Sequence, residues 1–418
     1  MKVVIVGGGF AGMNLAKGLA GKKDVDVLLV DKHNYHLFAP LLYQVATSFI
    51  EASNISYPFR KMLQGKKNVR FYHGALKEVK ADQNLIVTEY GTINYDVLVL
   101  ALGTVTNYFG MENLEKHSMP MKTIDDALRI RNHMLVNMEK VTREADEKER
   151  EKLMNIVITG GGPTGVELAG MIAEMGKHIV KKDYPELSNV RGNVYLVSSG
   201  DELLGSMSET ASTEALRRLT KLGVHVKSGV AVKDCVDGKV VLANGEELPT
   251  QTLIWAAGVT ACRVPGLPEE SLARGKRIKV DEFNKVSGTQ NIYAIGDISL
   301  MNADEEYPDG HPQLAQVAIQ QGTLLAKNLV CITKKEEIKP FVYNNKGSMA
   351  IISKYRAVVD LPKFSFTGYF AWVTWLIIHI FPLAGFTNKL KTVFNWMMSF
   401  FTNDPSLRLI LRYKAESR

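Results

Sequence analysis

The chain of 418 residues, 46% hydrophobic and 23% charged, is long enough to bury two or three cores of ordinary size, which excludes a fibrous or disordered protein. Lys+Arg 51 against Asp+Glu 44 leave a net charge of +7, an excess that matters only where it is localised. The three cysteines, Cys235, Cys262 and Cys331, form no close pair, which excludes a cysteine metal cluster or a local redox disulfide and fits a reducing compartment.

The N-terminus enters an apolar strand over Lys2–Val6 at once, leaving no room for a cleaved leader, so the body of the protein is expected in the cytoplasm. A turn, Gly7-Gly8-Gly9-Phe10-Ala11-Gly12, follows, then a predicted helix over 13–20 and a strand over 25–30 that closes on Asp31. Residues 95–103 read as a further buried strand ending on a glycine, and the charge-rich stretch 139–152 as one solvated helix. The pattern then repeats. A strand over 155–159 leads into Gly160-Gly161-Gly162-Pro163-Thr164-Gly165, followed by a helix over 166–180 and a strand over 193–198, and 252–258 echoes 97–103. This is a twofold internal repeat of a whole domain. A strand ending in Gly296-Asp297 and a helix over 312–330 come next, and from Phe364 the composition turns aromatic. The expected fold is α/β: two dinucleotide-binding (Rossmann-like) domains in tandem, with a C-terminal amphipathic helical membrane-anchor region. The expected bounds are 1–115 with 275–335 for an FAD-binding domain, 116–152 for a helical connector, 153–274 for an NAD(P)H-binding domain and 336–418 for the tail.

A strand feeding a G-x-G-x-x-G turn into a helix points backbone N–H groups at a pyrophosphate. Two such turns, about 150 residues apart, suggest two dinucleotides held face to face, as in an enzyme passing a hydride from a nicotinamide to a flavin. In the first, Gly7 permits the tight turn, Gly9 the approach of the pyrophosphate and Gly12 the packing of helix on strand. Asp31, 19 residues past Gly12, stands where an acid accepts from ribose hydroxyls. Gly296 lets the chain approach a ligand and Asp297 is placed to bond a ribityl hydroxyl, or simply to cap a helix. The helix after Pro312 is expected to aim its N-terminus at the flavin pyrimidine.

In the second turn Gly160, Gly162 and Gly165 repeat the phosphate-binding logic, with Pro163 suited to a first helical turn. Glu167 either borders and orients the nicotinamide or is a carboxylate favoured by the helix dipole. The strand here ends on Ser198, 33 residues past Gly165, where an acid would hold the 2′-hydroxyl of NAD. No arginine stands there for a 2′-phosphate and Asp201 is near, so NADH is favoured and NADPH stays open.

Two further stretches carry a family resemblance: His33-Asn34-Tyr35-His36-Leu37-Phe38-Ala39-Pro40-Leu41-Leu42-Tyr43-Gln44-Val45-Ala46 and Ala315-Gln316-Val317-Ala318-Ile319-Gln320-Gln321-Gly322. With both glycine turns, Ala101–Gly103 as residues 101–103, Asn107-Tyr108-Phe109-Gly110, Ala256-Ala257-Gly258, Gly296-Asp297 and the tail, the chain resembles the type II NADH:quinone oxidoreductases over nearly its full length. The resemblance implies an FAD enzyme on the membrane surface that oxidises NADH and reduces a membrane quinone in the respiratory chain. It implies that Gly103 and Gly258 belong to the cofactor sites, that Glu167 lies near nicotinamide and flavin, and that Asp297 binds FAD. It also implies that Gln316 and Gln320 line the quinone-side edge of the ring. Ala315 and Ala318 are small enough to let a helix approach a flat ring, and the glutamines are able to donate to a carbonyl oxygen, although a plain polar helix face has the same pattern.

The tail joins an apolar stretch over 367–382, interrupted by His379 and Pro382 and short for a bilayer span, to Leu390, Val393, Phe394, Met397 and Phe401 at helical spacing. Trp372, Trp375 and Trp396 suit a polar–apolar boundary. Lys389, Lys391, Arg408, Arg412, Lys414 and Arg418 outnumber Asp404 and Glu416. From Gly368 to Arg418 the chain therefore reads as a peripheral anchor on anionic lipid at the cytoplasmic side of the cell membrane. A dimer interface or a core-packed helix pair is the alternative; one apolar face is open to sharing between a second copy and the bilayer, and a homodimer is expected. No metal and no nucleic acid are expected as partners, nor proton pumping. The competing functions are a disulfide or sulfide:quinone reductase, which needs cysteines beside the flavin, and a non-catalytic flavin/NAD(P)H redox sensor.

Overall fold

The β-branched runs become the centres of two parallel sheets, each covered on both faces, as strands apolar on both sides require. The computed structural model describes residues 1–187, 190, 192–402 and 407–410. Along the chain, the helices that carry the cradles and the tail are α1 (Phe10–Leu19), α2 (Leu42–Ala46), α3 (Pro163–Met175), α4 (Ala315–Lys334), α5 (Tyr369–Ile380) and α6 (Phe386–Thr402).

One compact unit comprises Met1–Leu37, Ser56–Val105 and Val259–Lys346. Its parallel sheet runs in the order Ile292–Ala294, Val97–Leu100, Lys2–Val6, Asp26–Asp31, Val69–His73. Val3 and Ile5 face the layer that contains α1 and α4, and Val4 and Val6 the opposite core around Ile86 and Leu98. The two helices cross closely because a Cβ at Gly322 would enter the Ala11 carbonyl.

The other unit comprises Phe38–Ile55, Thr106–Gly258 and Gly347–Arg418. It repeats the sheet: Met119–Pro120, Thr252–Trp255, Ile156–Thr159, Val194–Val197, Val224–Lys227, all parallel. An antiparallel sheet of Ser348–Ser353, Arg356–Leu361 and Phe364–Gly368 packs on α3, where Gly170 lets the Ile352 carbonyl approach.

The expected elements are present with shifted ends, each for a local reason. The stretch 139–152 is two helices rather than one, Ile124–Val141 and Glu147–Met154. Asp146 breaks it by accepting from the Lys148 and Glu149 amides, since Asp serves better as a cap than inside a helix. Helix α3 starts at Pro163, a residue that loses nothing at a first turn, and ends at Met175 ahead of a π-helical turn over Gly176–Val180. Helix α4 starts at Ala315 and not at Pro312, because Leu314 is extended and Gln313 is held by the Asp297 carbonyl.

The tail departs most from expectation. Residues 364–368 are a strand, and α5 runs unbroken through His379, whose Nδ1 lies 2.8 Å from the Trp375 carbonyl. Burial pushes the His379 imidazole down to about 4, so it is neutral and tolerated in an apolar helix. Trp372, Trp375 and Trp396 face inward at 6%, 0% and 4% exposure instead of marking a boundary, the large rings being the pieces that fill the core. The outward surface includes Phe370, Ile377, Phe381, Phe386, Phe394 and Phe401. Arg408 is paired with Asp183, and Arg412, Lys414, Arg418, Asp404 and Glu416 lie outside the described residues. No helix among the described residues is long and apolar enough to cross a membrane.

Candidate functional site: duplicated nucleotide cradles

In the first unit the Gly7 amide donates to the Val30 carbonyl at 2.8 Å and the Ala101 amide to the Val6 carbonyl at 2.7 Å, pinning the turn to three adjacent strands. Gly7 has φ +104°, and a Cβ there would enter the Ala101 carbonyl; a Cβ at Gly12 would enter the Gly7 carbonyl. Gly9, by contrast, opens onto free space and caps α1 without a side-chain bond, so the first-turn amides are presented to an anion. The cradle therefore fits a pyrophosphate.

Asp31 lies at the end of its strand, as expected. One carboxylate oxygen accepts from the Gly8 amide at 2.6 Å and the other from the His33 amide at 2.8 Å, and each keeps a lone pair for a ribose hydroxyl. His36 Nδ1 lies 2.9 Å from the Gly8 carbonyl, and burial pushes its pKa down, so a neutral imidazole braces the turn.

Gly296 has φ +76° and lies between the methyl groups of Ala11 and Ala318. Its amide donates at 2.6 Å to Oε1 of Gln321, which is 1% exposed. Sequence reasoning missed Gln321, although its spacing from Val317, Ala318 and Leu325 puts it on the buried face of α4. Asp297 accepts from Gln313 through its carbonyl at 2.9 Å and turns its carboxylate toward Thr104 Oγ1 at 3.5 Å. Ala315 opens α4. Gln316 accepts from the Lys346 amide at 3.1 Å. Gln320 is clamped at both ends by Asn344, donating to its carbonyl at 2.9 Å and accepting from its amide at 3.0 Å. Gly103 has φ +69° and its carbonyl accepts from the Cys262 amide; the Cys262 thiol donates to the Leu102 carbonyl.

The second unit repeats the geometry of the glycine turn. The Gly160 amide donates to the Val197 carbonyl at 2.8 Å and the Ala256 amide to the Thr159 carbonyl at 2.8 Å. A Cβ at Gly160, φ +118°, would enter the Ala256 carbonyl, one at Gly165 the Gly160 carbonyl, and Gly162 again opens onto free space. Gly258, φ +79°, closes on the Phe109 ring. Ser198 occupies the place of Asp31; it is 6% exposed, lies against Gly161 and accepts from the Gly200 amide at 3.3 Å. Glu167, in the second turn of α3, is 8% exposed with the Ile351 amide 3.5 Å from Oε1. Burial holds its carboxyl well above the usual carboxylate range, the opposite of what the dipole of a helix N-terminus favours.

Residues 1–322 match the family model for pyridine nucleotide-disulphide oxidoreductases, and residues 345–403 that of the NDH2 C-terminal domain. The class is thus defined: the chain is a pyridine nucleotide-disulphide oxidoreductase by fold and sequence. The type II NADH:quinone oxidoreductase Ndh of Mycobacterium tuberculosis is 34% identical, over 100% of this chain and 92% of the relative. The mitochondrial internal alternative NAD(P)H-ubiquinone oxidoreductase A1 of Arabidopsis thaliana is 29% identical, over 96% of this chain and 84% of the relative. Among solved structures, NDH2 from Plasmodium falciparum in complex with NADH shares the fold with a TM-score of 0.89 at 22% identity, covering 98% of this chain and 99% of that one. The chain belongs to the type II NADH:quinone oxidoreductase family, and it is an enzyme.

Proposed function

We propose that the enzyme oxidises NADH and reduces a membrane quinone by two electrons, using FAD and moving no proton across the membrane. The observation that supports this best is the duplicated cradle, since two open glycine turns of one geometry in one chain suit two dinucleotides. FAD, when bound, supplies the redox chemistry between nicotinamide and quinone. Gly7, Gly9, Gly12 and Asp31 hold its adenosine diphosphate half, and Gly103, Gly296, Asp297 and Ala315 the flavin half. Gly160, Gly162, Gly165 and Gly258 hold NADH, and Glu167, kept as a neutral acid, orients the nicotinamide by donating a hydrogen bond. Gln316 and Gln320 serve the quinone-side edge, Gln320 by holding the backbone at Asn344.

The outward apolar face of α5 and α6 gives the enzyme a peripheral seat on anionic lipid at the cytoplasmic side, with Lys391 at its rim. A homodimer sharing that face is part of the same reading. An anaerobic two-stage experiment tests the function: NADH bleaches the visible absorbance of the purified protein, and a quinone added next restores it. A colourless protein after reconstitution, or absorbance that NADH leaves unchanged, overturns it.

A further inference from the structure

Helix α6 has its polarity reversed for a surface helix. Asn388, Thr392, Trp396 and Ser399, all under 9% exposed, line its inner side, while its outer side is apolar. Buried polar groups demand partners, and Asn388 and Trp396 find theirs in α2 and the segment that follows it. Asn388 Nδ2 donates to the Ser53 carbonyl at 3.0 Å, and Trp396 Nε1 donates to Gln44 Oε1 at 2.7 Å. Gln44 Nε2 in turn donates to the Tyr43 hydroxyl at 3.1 Å. Trp396, Gln44 and Tyr43 are 4%, 3% and 2% exposed, so water does not compete for these bonds.

The chain of bonds has a direction. An indole N–H is a donor only, so Gln44 must present its oxygen to Trp396 and its NH₂ to Tyr43. A phenol oxygen that accepts from Gln44 turns its own hydrogen toward a further acceptor. Trp372 and Trp375 show that this bond is not a general need of buried rings here, since their N–H groups have no partner among the described residues. Helix α2 packs on α3, and Tyr43 lies within electrostatic reach of Glu167.

We propose that Trp396 is a positioning residue for quinone reduction: it fixes the orientation of the Gln44 amide, and through it makes Tyr43 a hydrogen-bond donor toward a quinone carbonyl. The inference rests on the quinone reading above, and ties the seating of the tail to the reaction. Trp396→Phe in the full-length protein keeps the ring and deletes the donor. It lowers kcat with a short-chain quinone by about 3–10-fold, the worth of one hydrogen bond. KM for NADH and the rate of flavin bleaching by NADH stay within about twofold, as does binding to anionic vesicles, given that the change touches one bond. Gln44→Leu gives a similar loss, and the double variant is no worse than Gln44→Leu alone, because both act through one bond. Additive losses, an equal loss in bleaching and reoxidation, or an unaltered kcat in Trp396→Phe overturn the proposal. Wild-type protein that reduces no quinone at all overturns the functional reading instead.

Discussion

Glu167 stands on the second turn of a helix whose free amides favour negative charge, yet burial favours its neutral form. Desolvation outweighs the dipole because a helix N-terminus is worth at most about 2 kcal/mol, whereas isolating a carboxylate from water costs several. The sign of the pH dependence follows. Between the ordinary glutamate value and the raised one, the folded protein binds more protons than the unfolded chain, so stability falls as pH rises through that window. The contribution of the neutral acid is intact below the ordinary value and lost above the raised one. Glu167→Gln removes the titration: its apparent Tm matches wild type near pH 5 and exceeds it increasingly toward pH 8, by about 2–4 °C per kcal/mol regained. Thermal scans at the two pH values decide it, and a gap that shrinks with pH identifies a paired carboxylate instead.

At the scale of elements, strands and turns were legible because their signals are local: a β-branched run, then a glycine that only a positive φ or a close carbonyl explains. Helix ends were less so, since Asp146 sets one by capping two amides, Pro163 another by suiting a first turn, and Leu314 a third by its extended backbone. The orientation of the tail was not legible. Hydrophobicity alone puts Trp and Phe on the same side, whereas the structure separates them, with indoles inside and phenyl rings out. Gln44 and Trp396, 352 positions apart, give no sequence signal of their bond. The outward phenyl rings carry the next prediction. Phe394→Glu with Phe401→Glu, at 62% and 81% exposure, removes two rings from the proposed lipid-facing surface without opening the core. Each ring lost weakens vesicle binding about tenfold, from roughly 1.5–3 kcal/mol for a buried aromatic side chain. Flotation with anionic vesicles measures this, and retention of both the binding and its salt dependence in the double variant rejects the lipid face in favour of a protein partner.

For the molecule as a whole, the duplication makes each cradle a control for the other. Val30 and Val197 accept the same bond from Gly7 and Gly160, so the residues after them, Asp31 and Ser198, are structural equivalents. Asp31 stitches its turn with two amide bonds; Ser198 makes one, at 3.3 Å, and brings no charge. The next acid, Asp201, is exposed and three residues further on. An acid at position 198 would hold a ribose 2′-hydroxyl and repel a 2′-phosphate, so its absence removes one means of telling NADH from NADPH. Because an aspartate already fits against Gly8 in the first cradle, one also fits against Gly161 in the second. Ser198→Asp is therefore expected to raise the ratio of kcat/KM for NADH over NADPH by about tenfold, the worth of one charge-assisted hydrogen bond at its lower limit. The gain comes from a better constant for NADH and a worse one for NADPH together. A ratio that does not move means that the adenosine ribose is held elsewhere, with Asp201 the residue to replace next.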